Sequence, residues 1–94
     1  MLNQVVLLGR LVEYKEESII IKVPRNYKNN QGIYDTDLIE IYLSESNYKQ
    51  NKEYTKVGDL LGVKGRVETK DNQIIIIADK TTFLTNKKGS DTNV

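Results

Sequence analysis

The sequence has no cysteine, no histidine and no tryptophan among its 94 residues. These absences exclude a disulfide framework, a thiol nucleophile, a Ser-His-Asp triad and a zinc site built from cysteine or histidine. A large charge excess of one sign is also missing, because 14 basic and 13 acidic residues leave a formal net charge of +1. Any contact with nucleic acid must therefore come from cations gathered in one place.

The length fits one small domain with a marginal core, so assembly into oligomers is expected. Residues 1–4 lack the cationic start of a signal peptide, and no stretch approaches the roughly 20 apolar residues of a membrane span. We therefore expect a cytoplasmic protein that has no membrane partner.

Five stretches rich in isoleucine, valine and leucine favour β-strands. They cover residues 4–11, 18–23, 37–43, 60–69 and 73–84. Pro24 is expected to end the second strand because proline cannot donate to a ladder. Residues 13–17, 27–36 and 70–72 are expected to form turns or loops, and the polar residues 46–57 predict a short helix capped by Ser46 or Asn47.

The order strand, strand, strand, helix, strand, strand predicts an all-β fold, a five-stranded OB-fold Greek-key barrel with one short helix between strands 3 and 4. An SH3-like barrel is the alternative, although it usually lacks that helix. Gly9, Gly62 and Gly65 interrupt apolar strands and suit bends, bulges or close backbone approach. We assign residues 1–85 to this domain and expect the polar residues 86–94 to be disordered.

The first and fifth strands are apolar on both faces, although the outer face of a small barrel should be polar. Val6, Leu8 and half of the isoleucines at 74–77 therefore need a second cover. Another copy of the chain is the simplest cover, so we expect a homo-oligomer. The alternative is that the helix or a folded-back loop covers them.

Paired carboxylates can carry out acid-base chemistry, but they need a cleft and a shifted pKa. The pairs Asp35/Asp37 and Glu16/Glu17 fall in polar turns, where solvated carboxylates are ordinary. We expect no enzymatic activity, no cofactor, no metal and no small-molecule substrate.

The second and third strands of an OB barrel, with the adjoining loops, form its usual oligonucleotide groove. Single strands are also held by stacking on exposed aromatic rings, a role that falls here to tyrosine. The candidate nucleic-acid-binding residues are Arg10, Lys22, Arg25, Tyr27, Lys28, Tyr34, Tyr42, Lys64, Arg66 and Lys70. The alternatives are solubilising surface cations, and tyrosines that serve as loop anchors or interface plugs. Tyr48 and Tyr54 are expected to pack against the barrel end.

Four segments, in order along the chain, resemble bacterial single-stranded DNA-binding proteins, the SSB family. They are Asn3-Gln-Val-Val-Leu-Leu-Gly-Arg-Leu11, Val23-Pro-Arg-Asn-Tyr-Lys28, Tyr54-Thr-Lys-Val-Gly-Asp-Leu-Leu-Gly-Val-Lys-Gly-Arg-Val67 and Ala78-Asp-Lys-Thr-Thr-Phe-Leu84. The resemblance implies an OB-fold that binds single-stranded DNA without much sequence preference, usually as a homotetramer, in DNA replication, repair and recombination. It also implies that Tyr27 is a stacking platform.

The chain departs from the family pattern as a short, diverged member. One family aromatic falls at Leu38 and another near Ser44, and both are lost here; the loop between strands four and five is cut to a turn. The family's acidic, phenylalanine-bearing tail tip, which recruits other proteins, is missing. These departures leave a second hypothesis open, an OB-fold oligomerisation or adaptor protein of a DNA-processing complex with little DNA affinity of its own.

Overall fold

A computed structural model describes residues 3–84, which form a closed barrel with the strand order β1-β2-β3-β5-β4. The elements are β1 (Val5–Tyr14), β2 (Ser18–Lys28), β3 (Tyr34–Tyr42), α1 (Glu45–Tyr54), β4 (Leu60–Lys70) and β5 (Gln73–Phe83). Neighbouring strands are antiparallel except β3 and β5, which pair in parallel. The predicted OB-type barrel with one helix between strands 3 and 4 is confirmed. The polar segment predicted for residues 86–94 lies outside the described residues.

The barrel interior is built from alternate strand positions, as expected where one face of each strand points inward. The buried apolar residues are Leu11, Ile19, Ile21, Ile41, Leu43, Leu61, Val63 and Ala78. Burying each large aliphatic side chain contributes roughly 1.5–3 kcal/mol, so this cluster is the main stabilising element of the domain.

Two glycines allow the strands to curve into a closed barrel. A Cβ atom on Gly9 would lie 2.6 Å from the carbonyl oxygen of Lys22, and one on Gly65 would lie 2.2 Å from that of Ile77. The β4–β5 ladder also shifts register between Lys64 and Gly65, which makes Asp79 the extra residue of a β-bulge. Close approach and bulging, both predicted for these glycines, are therefore confirmed at Gly9 and Gly65.

The first strand runs further than predicted. It continues beyond Leu11 through a register shift at Val12, after which Glu13 pairs with Ile20 and Tyr14 pairs with Ile19. The prediction of a turn at 13–17 was therefore wrong for its first two residues. The reason is packing, because the Tyr14 ring lies edge-on to the Tyr48 ring of α1 with centroids 6.2 Å apart.

The second strand does not end at Pro24, so that prediction was wrong. Pro24 lies opposite Thr36, the ladder is irregular beyond it, and pairing resumes between Lys28 and Tyr34. The missing proline N–H disturbs the ladder locally, but the hairpin continues past it. As a result β3 begins at Tyr34, ahead of the predicted start at residue 37.

The β4–β5 connection is the tight turn that the sequence predicts. Lys70 pairs with Gln73, and between them Asp71 and Asn72 have φ values of 52° and 65°. Two successive positive φ angles are typical of type I′ hairpin turns, and aspartate and asparagine are the non-glycine residues that best tolerate them.

The helix is capped by Ser44, whose Oγ accepts a hydrogen bond from the N–H of Asn47. The predicted caps, Ser46 and Asn47, are wrong because the helix begins at Glu45. The Tyr14 hydroxyl lies 2.9 Å from the carbonyl oxygen of Thr55, and this contact ties the end of the helix to the barrel. Within residues 3–84, no helix has the length and apolar character needed to cross a bilayer.

One apolar surface lies outside the barrel on β1. Val6 is 73% exposed and Leu8 is 52% exposed, and Leu84 lies beside Gly62, which is opposite Leu8. We call Val6, Leu8 and Leu84 the β1 patch. Within residues 3–84, neither α1 nor a loop covers Val6 and Leu8, so this part of the chain does not supply the internal cover considered above.

The close approach at Gly65 predicts that Gly65→Ala destabilises the fold, because the added methyl group meets the backbone of Ile77. Overpacking of this kind costs about 1–3 kcal/mol in the free energy of unfolding, measured by urea denaturation. Gly62→Ala is the matched control, since its Cβ would meet Leu84 at an ordinary 3.6 Å. Equal stabilities for the two variants would contradict this account of the barrel curvature.

Candidate nucleic-acid interface

The end of the β2–β3 hairpin, residues 24–36, projects beyond the ladder irregularity at Pro24, and we call it the arm. It carries two tyrosine rings that are more than half exposed, Tyr27 at 59% and Tyr34 at 53%. The Nζ atom of Lys28 lies 5.7 Å from the centroid of the Tyr34 ring. The arm thus presents flat apolar faces with cationic groups beside them.

The tip of the arm is ordered by Asn29. Its side-chain Oδ1 accepts hydrogen bonds from the N–H groups of Gln31 and Ile33, at 2.8 and 3.0 Å. Gly32 supplies a φ of 78°, which a residue with a Cβ rarely adopts. The loop at residues 29–33 therefore holds the two strands of the arm in fixed register beside the exposed rings.

Arg25 lies on the same arm, but its charge is not free. Its Nε and Nη2 atoms donate to the two carboxylate oxygens of Asp37, at 3.0 and 2.9 Å, and Asp35 lies 3.9 Å from Nη1. The hydrogen bond from Arg25 lowers the pKa of Asp37, and the same bond, together with the charge of Asp37, raises the pKa of Arg25. The sequence did not reveal that the Arg25 charge is neutralised, because the two carboxylates come from the neighbouring strand β3.

A groove of about 600 Å³ lies between the end of β3, the start of α1 and the outer face of β4–β5. Three predicted residues, Tyr42, Arg66 and Lys70, line it together with Ile77 and Asn47. Tyr42 is half-buried and pairs in register with Ile77, on the face opposite Ile41 as predicted. The groove therefore combines an aromatic ring and isoleucine side chains with two cations and three carboxylates, Glu17, Glu68 and Asp79.

Arg66 is also paired with carboxylates. Its Nε donates to Oε2 of Glu68 at 2.7 Å, and its Nη1 donates to Oδ1 of Asp79, the bulge residue of β5. The hydrogen bond to Glu68 is the main reason that the pKa of Arg66 is raised. Within residues 3–84, no carboxylate lies within ion-pair distance of Lys22, Lys28, Lys64 or Lys70.

The remaining candidates lie elsewhere on the barrel. Lys22 sits between Arg10 on β1 and the exposed Leu38 on β3. Arg10 donates to the carbonyl oxygen of Gly58, which fixes it against the loop before β4. Lys64 lies opposite Val6 and Lys80 on the β1–β4–β5 wall and does not line the groove. The structure therefore gathers the arm residues and the groove residues, but it leaves Arg10, Lys22 and Lys64 apart from both.

Several residues of this surface were missed from the sequence. Ser44 and Asn47 line the groove from the helix start, and Asp37, Glu68 and Asp79 hold the two arginines. Asp35 and Asp37 belong to β3 rather than to a polar turn. Their two-residue spacing places both on one face of a strand, opposite the strand that carries Arg25, and this spacing was the available sign of the charge pairing. Among residues 3–84, no group of three or more His, Cys, Asp or Glu side chains could hold a metal ion.

The chain is similar to known single-stranded DNA-binding proteins. It is 32% identical to single-stranded DNA-binding protein 1 of Staphylococcus aureus (strain Mu50), over 98% of this chain and 71% of that protein. No family model matches the chain.

Two solved structures have a similar fold. One is a mitochondrial single-stranded DNA-binding protein of S. cerevisiae, with a TM-score of 0.65 and 13% identity over 90% of this chain and 96% of that one. The other is the SSB of Plasmodium falciparum in complex with ssDNA, with a TM-score of 0.68 and 17% identity over the same shares. At these identities, the likeness concerns the fold.

The Arg25–Asp37 pair predicts a pH effect of definite sign. Because the pKa of Asp37 is lowered in the folded state, the pair stabilises the fold at neutral pH. That stabilisation is lost only as the pH falls through the lowered pKa. Carboxyl-carbon NMR titration should find Asp37 below its usual value, and Arg25→Gln should return it towards about 3.9. An unchanged Asp37 titration in the variant would contradict the pairing.

Proposed function

The chain belongs to the family of single-stranded DNA-binding proteins, and on that premise we propose that it binds unpaired DNA with little sequence preference. Bases stack on exposed tyrosine rings, and neighbouring cations contact the phosphates. As a member of this family, the chain is a binding protein and not an enzyme.

The observation that carries this proposal is the arm. Two tyrosine rings, each more than half exposed, stand on one hairpin with Arg25 and Lys28 beside them. Every base has a flat face, so stacking on such rings tolerates any sequence and contributes about 1–3 kcal/mol per base. A core role is excluded for rings with this exposure, which leaves them available to a ligand.

The groove supplies a second set of contacts on the same strand. Tyr34 begins β3 and Tyr42 ends it, so the two rings stand about 26 Å apart along the strand at roughly 3.3 Å per residue. Leu38, between them, is 64% exposed and cannot stack. We therefore expect a short contact path, near the lower end of the roughly 4–16 nucleotides that an OB fold covers.

We place this activity in DNA replication, repair or recombination, in the cytoplasm, where single strands are exposed while duplex DNA is open. The relative reported above, from Staphylococcus aureus, supports this assignment by its name as a single-stranded DNA-binding protein. A binder of low sequence preference suits these processes because the exposed strand has no fixed sequence.

The β1 patch supports a homo-oligomer, a dimer or a tetramer. Val6 and Leu8 are large apolar side chains on an outer strand face, where a monomer of this size would place polar ones. A second copy, placing its own β1 patch against the first, removes both patches from water by two-fold symmetry.

The stacking role predicts that Tyr27→Ala weakens binding to an unlabelled dT oligonucleotide by about 1–3 kcal/mol, roughly 5- to 150-fold. Tyr54→Ala is the matched control, because Tyr54 is 61% exposed but packs against Phe83 at the other end of the barrel. Fluorescence titration of both variants and the parent, at two salt concentrations and against duplex DNA of the same length, measures the effect.

Salt-sensitive binding to the single strand, much weaker for duplex, is the expected behaviour of the parent. No binding at low salt would instead favour the adaptor function, to which the paired arginines and the apolar β1 patch also lend support. Equal losses in the two tyrosine variants would remove stacking at Tyr27 from the proposal.

Oligomerisation through the β1 patch predicts that Val6→Glu lowers the mass measured by light scattering to that of a monomer. Contact between two copies would then have to remove both the new carboxylate and Lys64, which lies opposite it on β4, from water, and this costs free energy where burial of Val6 gains it. Val57→Glu is the control, since Val57 is 62% exposed but lies in the loop before β4. A parent protein that stays monomeric at high concentration would rule out this contact.

A further inference from the structure

Both arginines of the candidate interface are held by carboxylates at irregular points of the ladders. Arg25 lies in the irregular segment after Pro24, and Asp37 accepts two of its hydrogen bonds. Arg66 lies beside the β4–β5 bulge and donates to Glu68 and to the bulge residue Asp79. Asp37 and Asp79 reach the arginines from the neighbouring strand, and Glu68 reaches Arg66 from two residues further along β4.

These carboxylates use the donors that a phosphate would need. Arginine recognises phosphate, as it does carboxylate, with a planar fork of parallel N–H groups. In Arg25 that fork, Nε and Nη2, is already directed at Asp37. In Arg66, Nε and Nη1 are directed at Glu68 and Asp79. A DNA phosphate would therefore compete with Asp37 for the fork of Arg25, and with Glu68 and Asp79 for N–H donors on two different edges of the Arg66 guanidinium group.

The arginine–carboxylate pairs are exposed enough for a DNA phosphate to replace the carboxylate. The Arg25 and Arg66 side chains are each 40% exposed, and their carboxylate partners are between 44% and 51% exposed. Among residues 3–84, Asp37 and Asp79 have no hydrogen-bond donor other than their arginine. A displaced carboxylate would therefore return to water rather than remain buried without a partner.

We propose that Asp37, Glu68 and Asp79 act as internal competitors of the DNA backbone and set the affinity of this chain for single strands. The inference rests on the proposed function, and it names the residues that limit the affinity for single-stranded DNA. The local charge is consistent with such competition, because residues 22–37 carry three cations and two carboxylates, a net charge of only +1. The Arg25 bond lowers the pKa of Asp37, so mild acid does not remove this competitor.

The competition has a signature in the salt dependence. A cation that binds a phosphate releases counterions, and for single strands the logarithm of the affinity falls by about 0.7 per contact with the logarithm of salt concentration. A carboxylate set free in the same step takes up cations from solution and offsets this release. Removing the carboxylate therefore raises the affinity and also steepens the salt slope.

The test compares Asp37→Asn, and the double variant Glu68→Gln with Asp79→Asn, with the parent in titrations of a dT oligonucleotide at several salt concentrations. Each variant should bind roughly 1.5- to 5-fold more tightly at low salt, the range of exposed ion-pair energies. Its salt slope should steepen by up to about 0.7 for each arginine released. Circular dichroism checks that the fold is kept.

Asp71→Asn is the matched control for the first variant, and Asp71→Asn combined with Glu53→Gln is the control for the second. Neither acid is paired with an arginine, and asparagine suits the positive φ of residue 71. Controls with the same gain as the test variants would overturn the inference by showing a general charge effect. Weaker binding in the test variants would overturn it too, because the carboxylates would then position the arginines for phosphate. Absence of binding in every protein, the parent included, would instead overturn the proposed function.

Discussion

The parallel pairing of β3 with β5 is the contact on which the candidate interface depends. It consists of two register pairs, Ile41 with Ile76 and Tyr42 with Ile77. This short contact closes the barrel and joins two long hairpins, one that carries the arm and one that carries Arg66 and Lys70. Tyr42, at this contact, lines the groove together with Arg66 and Lys70 of the second hairpin. Without this contact, Tyr42 would stand on an open sheet edge.

Charge at this surface is balanced rather than basic. The net charge of +1 for the whole chain is repeated locally, because carboxylates on neighbouring strands accompany the arginines. Such a surface attracts polyanions weakly from a distance, since opposite charges cancel beyond a Debye length. Contact between rings and bases then has more influence on what is bound, and duplex DNA, whose bases are stacked away from the protein, gains less from it.

The fold was predictable because strand period and element order are local properties of the sequence. The interface was predictable only in part, because two of its charge pairs join residues on neighbouring strands. Asp37 is 12 residues from Arg25, and Asp79 is 13 residues from Arg66. Strand ends also escaped prediction where packing outweighed local preference. Tyr14 extends β1 because its ring packs on Tyr48. The β2–β3 ladder resumes after Pro24 because Lys28 pairs with Tyr34.

The two-residue turn at Asp71 and Asn72 has a consequence for the order of folding. A hairpin closed by so short a turn brings its strands together on the microsecond scale, because almost no chain has to be ordered first. The contact between residues 41 and 76 requires a much longer loop to close. We therefore expect β4 and β5 to pair early, and the contacts of β5 with β3 and of β4 with β1, which close longer loops, to form later. During synthesis on the ribosome, the chain would remain an open sheet until its fifth strand has left the exit tunnel.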